Sequence, residues 1–270
     1  MTFRLPDFFL MPVFSLICNK MSNQLTDRTF WKKYWESKKD LAVAIKPDYT
    51  FHQILKKLIR NNHIKTAIEL GGFPGYYAIY LHKYENLETT LFDFYVHTGI
   101  LVDVLAANNL SEKSIGVIEG DLFKYKALKQ YDLVLSCGLI EHFEDTKDII
   151  NRHLAFLKPG GTLFITLPNF LGVNGWVQRK FDPENYSKHN VKSMQLDLLA
   201  RVCRELKLQD VKLNHFGKFS VWLENKHSKS AAAKILTKTI WLAGKIFTKI
   251  VPAETKLLSP YIVLTARKPK

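Results

Sequence analysis

Residues 66–81 read Thr66-Ala67-Ile68-Glu69-Leu70-Gly71-Gly72-Phe73-Pro74-Gly75-Tyr76-Tyr77-Ala78-Ile79-Tyr80-Leu81. An apolar run ends beside an acid, a glycine-rich turn follows, and a helix pattern starts at Tyr76. That order predicts a strand, a tight turn and a helix. Glycines in such a turn let the backbone pass close to a ligand, and the helix N-terminus beyond it offers unpaired N–H groups. The stretch points to a pocket for a nucleotide-like cofactor. A glycine cluster after a strand is also ordinary punctuation, so the reading depends on what surrounds it.

Working outward, apolar strands and helices alternate from Lys65 onward. Strands are expected at 65–70, 87–93, 114–119, 131–136 and 162–167, with helices at 76–83, 97–108 and 145–157 between them. This alternation implies parallel strands with crossover helices, hence a doubly wound α/β sheet. A helix at 192–206 and strands at 209–215 and 259–267 follow. Upstream, residues 50–60 form an amphipathic helix, and residues 27–39 form one that lines up Phe30, Trp31, Tyr34 and Trp35 on a single face. That aromatic face either packs on the main domain or caps the site. We divide the chain into an N-terminal extension with its cap helix, 1–47, and a main domain, 48–270, with an insertion at 225–258.

The chain has 270 residues, 47% of them hydrophobic and 24% charged, enough to bury a full core. No transmembrane helix is expected. A net charge of +14 favours anionic partners: nucleic acid, an acidic membrane face or phosphorylated substrates. Cys18, Cys137 and Cys203 are an odd number with no metal-ligand spacing, so no metal is expected and a reducing, cytoplasmic setting fits. The apolar run Phe8 to Ile17 resembles a short signal-peptide core. Asp7, Pro12 and the missing small-residue cleavage site favour an uncleaved extension instead.

Further carboxylates end the next strands. Asp93 closes the second, 24 positions after Glu69, where an acid can accept both hydroxyls of a ribose or simply cap a turn. Asp121 follows the third strand in Glu119-Gly120-Asp121-Leu122, where it could accept an exocyclic amine or serve the turn. The fourth strand ends in Ser136-Cys137-Gly138-Leu139-Ile140-Glu141-His142-Phe143, and Leu157-Lys158-Pro159-Gly160-Gly161 turns into the fifth.

This ordered set resembles the class I S-adenosylmethionine-dependent methyltransferases, most closely the small-molecule and lipid branch of the ubiquinone-biosynthesis type. The resemblance covers roughly residues 50–215 and the last strand. It implies a Rossmann-like sheet of seven strands, mostly parallel, whose last strand runs antiparallel, with N-terminal helices and a helical insertion before that strand. It also implies S-adenosylmethionine as cofactor. Glu69, Gly71 and Gly75 match the family's acidic-x-Gly-x-Gly-x-Gly loop, Gly72 compensates for Phe73 at the middle glycine position, Asp93 matches the ribose acid and Asp121 the adenine acid. Phe94, Leu122 and Ser136 complete the implied cofactor contacts. A dehydrogenase fingerprint fits worse, because it needs glycine where Phe73 and Tyr76 stand.

On the acceptor side, residues 167–190 read as a long loop leaving the ligand edge of the sheet, rich in aromatics and turn residues. Methyl transfer aligns a nucleophile with a sulfonium, excludes water and often removes a proton. His142 and His189 are the candidate bases, because an imidazole titrates near neutrality; the alternatives are a structural helix start and a cap. In residues 231–251, Lys234, Lys238, Lys245 and Lys249 fall within roughly a 60° arc at ~100° per residue, opposite a broad apolar face. Such a helix either lies on an anionic membrane or packs on the core. The expected activity is methyl transfer to oxygen or nitrogen of a small, lipid-linked or glycan-linked acceptor, at a cytoplasmic site or peripherally at a membrane. The alternatives are an RNA methyltransferase and a non-catalytic binding protein that kept the fold. A nucleic-acid partner is disfavoured: Ser136-Cys137-Gly138-Leu139 replaces the Asn/Asp-Pro-Pro-aromatic signature of adenine-amino enzymes.

Overall fold

The computed structural model describes residues 23–224, 229–250 and 254–270. The expectations for the apolar N-terminal run and for Cys18 lie outside the described residues. Strands β1 (Thr66–Leu70), β2 (Glu88–Asp93), β3 (Gly116–Glu119), β4 (Tyr131–Cys137), β5 (Leu157–Pro168), β6 (Gln209–Phe216) and β7 (Tyr261–Arg267) form one sheet in the order β3-β2-β1-β4-β5-β7-β6. Pairings among β1 to β5 are parallel, and β7 runs antiparallel to both β5 and β6. The Rossmann-like seven-stranded sheet with its antiparallel last strand is therefore present as expected.

Strand side chains alternate between two apolar layers, as a period of two requires. Ala67, Leu91, Leu133 and Leu135 face α2 (His52–Asn62), α3 (Tyr76–Glu85) and α4 (Thr98–Ala107). Ile68, Leu70, Val134 and Ile165 face α5 (Thr146–Ala155) and α8 (Leu196–Glu205). Strand order reverses between β1 and β4, so a crevice opens beyond their C-terminal ends, where open α/β sheets bind ligands. Helix α1 (Arg28–Ser37) crosses above that crevice.

Two expectations need correction. Residues 167–190 are not a loop. They contain α6 (Val173–Phe181) and α7 (Pro183–Ser187). Asn174 and Gly175 suggested a turn, but both are buried inside α6, where a Cβ on Gly175 would lie 1.7 Å from the Phe170 carbonyl oxygen. Pro183 opens α7 at a first-turn position that lacks a partner for an N–H anyway. The second correction concerns α9 (Ala231–Ile250), the basic helix between β6 and β7. It docks on the protein, but among the described residues only Ile240 of the broad apolar face takes part. Small residues do the docking: Ala233 and Thr237 are buried, and Gly244 sits so close to Phe219 that a Cβ would meet the ring at 2.0 Å. Ile235, Leu242, Ile246 and Phe247 stay at least half exposed.

Candidate active site

The turn after β1 bends at Gly71, whose φ of +61° is left-handed and whose added Cβ would lie 2.4 Å from Leu139 Cδ1. Gly72 admits the Glu69 carboxylate, 2.2 Å from where a Cβ would stand. Gly75 starts α3 at φ +90°. Phe73, at the missing glycine position, does not stand up into the crevice: it is 3% exposed and lays its ring against Trp35, centroids 5.2 Å apart. Its peptide to Pro74 is cis. The Phe73 N–H donates to Asp93 Oδ2 at 2.9 Å, tying the turn to the end of β2.

Two adjoining cavities lie over the strand ends. The first is lined by Gly71, Asp93, Phe94, Leu122, Leu139 and Phe143, under Trp31 and Trp35 of α1. Its free volume of about 60 Å³ admits only a few water molecules, because the two indoles reach into it. The second, of about 360 Å³, is lined by Glu69, Gly72, Tyr77, Glu141, His142 and His189, with Lys188, Trp222 and Glu224 on its outer side. Gly71, Gly138 and His142 border both. Arg28 pairs with Glu119 and donates to the Phe94 carbonyl at 3.3 Å, while Tyr34 and Lys38 bind Glu224, so α1 is held at both ends.

The fold brings Gly71, Asp93, Phe94, Leu122 and His142 to the first cavity, and Glu69, Gly72 and His189 to the second. Three expected residues stand apart. Gly75 is spent on the helix start. Asp121 accepts from the Phe123 N–H at 2.9 Å and lies 3.4 Å from Lys124, so it serves the turn its alternative reading described. Ser136 is fully buried under α5 and bonded to His153 Nε2 at 2.9 Å; it does not line either cavity. It was placed by its position at a strand end, but the pleat turns it into the α5 layer. Sequence reading missed Trp222, Lys188 and Glu224, which approach only through folding. Glu141 carried a signal, sitting beside His142 at the strand end.

Burial sets the electrostatics. Glu69 and Glu141 are each pushed up to about 8, chiefly by desolvation, although the Ala78 N–H donates to Glu69 at 2.7 Å. Burial raises Asp93 to about 6 against N–H bonds from Phe73 and Tyr95 that favour its charge. Burial and the neighbouring His189 pull His142 down to about 3, and burial lowers His189 as well. Both imidazoles therefore stay neutral. Nδ1 of His142 lies 3.0 Å from the Lys188 carbonyl and Nδ1 of His189 lies 2.7 Å from that of Asn185. A carbonyl only accepts, so Nδ1 holds the proton and Nε2 keeps a lone pair in each ring. Glu141, His142 and His189 also hold one ligand atom each within 4.8 Å of one another, a donor set able to take a cation.

A glycine turn after β1, an acid ending β2 and a crevice at the switch point are common to nucleotide-binding α/β folds; the order β3-β2-β1-β4-β5-β7-β6 with β7 antiparallel is the one expected of the class I methyltransferases. The chain belongs to the methyltransferase-domain family, whose profile matches residues 45–213. It is an S-adenosylmethionine-dependent methyltransferase. The structure is similar to a protein of Bacillus halodurans that is named as a methyltransferase (14% identity, TM-score 0.55, covering 81% of this chain and 100% of that one). It is similar to phosphoethanolamine N-methyltransferase 2 of Haemonchus contortus in complex with S-adenosylmethionine (14%, TM-score 0.54, 87% and 61%). A plantazolicin methyltransferase bound to S-adenosylhomocysteine is also similar (13%, TM-score 0.50, 83% and 87%). Identities this low establish the fold. No curated protein matches the sequence. The residues fit the cofactor: Asp93 is a buried acid at the end of β2, where it could accept ribose hydroxyls, and Phe94, Leu122 and Phe143 line an apolar slot that could take a flat base. Admitting that base requires the α1 indoles to give way.

Proposed function

We propose that this enzyme methylates an oxygen or nitrogen of a small, lipid-linked acceptor held in the second cavity. One observation carries the reading: the slot that suits the cofactor and the larger cavity meet at Gly71, Gly138 and His142, so donor and acceptor can be aligned across that border. The acceptor heteroatom is assigned to the Glu141–His142–His189 cluster, which is responsible for easing the loss of its proton. Trp31, Trp35 and Phe170 help exclude water from it.

Helix α9 supports the lipid link. Ile235, Leu242 and Ile246 form an exposed apolar strip beside Lys234, Lys238, Lys245 and Lys249, and no acid occurs in residues 231–250. An apolar strip bordered by lysines suits the interface of an anionic bilayer. A groove of about 400 Å³ between α9 and residues 221–223 is lined by Lys234, Lys238, Trp241 and Trp222. Trp222 also borders the acceptor cavity, which gives an amphiphile a path between bilayer and site. Among the described residues no helix is long and apolar enough to cross a membrane.

The test is transfer of radiolabelled methyl groups from S-adenosylmethionine into fractions of a cell extract. Label in the organic phase, reduced by His189→Ala without loss of cofactor binding, is expected. Label confined to RNA or to water-soluble compounds would refute the lipid-linked acceptor. For α9, sedimentation with vesicles containing phosphatidylglycerol should show salt-sensitive binding that is lost in a variant with Ile235, Leu242 and Ile246 changed to Ser; equal binding by both proteins would refute its membrane role.

A further inference from the structure

The cluster assigned to the acceptor heteroatom brings one carboxyl and two imidazole rings together. Glu141 is 1% exposed, and its Oε2 has no hydrogen-bond partner. The His142 and His189 rings lie 4.7 Å apart, centroid to centroid. Each has its Nδ1 proton committed to a backbone carbonyl, at 3.0 and 2.7 Å, so each offers a lone pair on Nε2. An orphaned buried carboxylate costs free energy unless something positive or donating meets it. Two neutral imidazoles in this tautomer bring it no proton.

The backbone around the cluster is built to hold this arrangement. Glu141 and His142 sit in a 3-10 turn, Ile140–His142, directly after β4. The Asn190 N–H donates to the Glu141 carbonyl at 2.6 Å, and Asn190 Nδ2 donates to the Phe143 carbonyl at 2.9 Å. The segment that carries His189 is thus locked against the turn that carries the other two. Imidazoles oriented through Nδ1–H bonds to carbonyls are the usual outer support of metal-ligating histidines.

We propose that Glu141, His142 and His189 form a divalent-cation site, two imidazoles and one carboxylate, whose open position faces the acceptor cavity. One ligand atom from each lies within 4.8 Å of the others. Each would close by less than ~1 Å to reach metal–ligand bonds of about 2.0–2.2 Å. Two nitrogen donors favour zinc or a neighbouring first-row ion over magnesium or calcium, which prefer all-oxygen shells. The site deepens the proposed function and rests on the acceptor occupying this cavity. An acceptor hydroxyl on the open position loses its proton more readily, and that proton passes to solvent. The oxygen's electron pair then forms the new bond to the donor methyl carbon, while the electrons of the broken carbon–sulfur bond stay on sulfur.

The experiment uses tag-free full-length protein stripped with a chelator and titrated with Zn²⁺ by calorimetry, and with Co²⁺ followed by its visible ligand-field bands. One ion per chain is expected, with His189→Ala and Glu141→Gln each weakening it at least ~10-fold, as loss of a ligand should. His63→Ala, outside the site, should bind like wild type, and S-adenosylmethionine affinity should be unchanged in all of them. Should Glu141→Gln fail to fold, His189→Ala alone decides. Failure to bind either ion, or unaltered binding by His189→Ala, overturns the site. Full turnover by the stripped enzyme also overturns it and leaves the proposed acceptor intact, with the imidazoles acting directly; absent cofactor binding would instead undermine the reading of both cavities.

Discussion

Glu69 ought to make this protein less stable as pH rises. Its carboxyl is buried at 2% exposure and pushed from 4.5 up to about 8. A folded value above the unfolded one means that the stabilisation is fully present below about pH 4.5 and is lost as pH climbs through about 8. At roughly 1.4 kcal/mol per pH unit, moving from 4.5 to about 8 bounds the loss at about 5 kcal/mol, of which about 3 is gone by pH 7. Relaxation and entering water trim this to a few kcal/mol. Glu69→Gln keeps an oxygen to accept the Ala78 N–H, now 2.7 Å away, and cannot ionise. Urea unfolding at about pH 5, 7 and 9 is the assay. Asp93 and Glu141 tilt the curve the same way, while His142 and His153, lowered by burial to about 3 and 4, lose stability as pH falls below their unfolded value. These contributions cancel when variant is compared with wild type. The variant should gain on wild type with each step upward in pH, by a few kcal/mol across the range. Parallel curves would show that Glu69 ionises in the folded protein at little cost, and the reasoning would fail.

Ser136→Ala should cost about 1–3 kcal/mol by leaving His153 Nε2 unpaired in the core, yet leave the affinity for S-adenosylmethionine unchanged in calorimetry. Gly71→Ala should weaken that affinity and cost about 1–2 kcal/mol, because its φ of +61° is left-handed and its methyl would displace Leu139 from the cofactor slot; binding and urea midpoints both read this out. Trp35→Ala should speed cofactor association in stopped-flow fluorescence, since the indole narrows the slot; an unchanged rate would mean that α1 does not gate entry. Gly244→Val should lift α9 from Phe219, where a Cβ already lies 2.0 Å from the ring, and expose residues 231–250 to limited proteolysis.

Much of this architecture is local and was legible before folding. Apolar runs at 66–70, 88–93 and 131–137 alternate with helix patterns, and short βα units can pack only as a parallel sheet with helices on both faces. The placement of the glycine turn and of Asp93 was legible for the same reason: it follows from position at a strand end, which the chain order reveals. Other matters required the tertiary arrangement. Whether Ser136 faces ligand or core turns on the pleat at one residue, and it faces His153. Whether α9 buries its apolar strip depends on what lies beneath it; Phe219 accepts Gly244 and its small neighbours instead. Asn174 and Gly175 signal a turn in isolation, but burial against Phe170 and Trp222 holds them in helix. The meeting of Glu141, His142 and His189 across 47 residues of chain is the clearest case. Local preferences act over a few neighbours, whereas that contact exists only once β4, α7 and the Asn190 bridge have closed on one another.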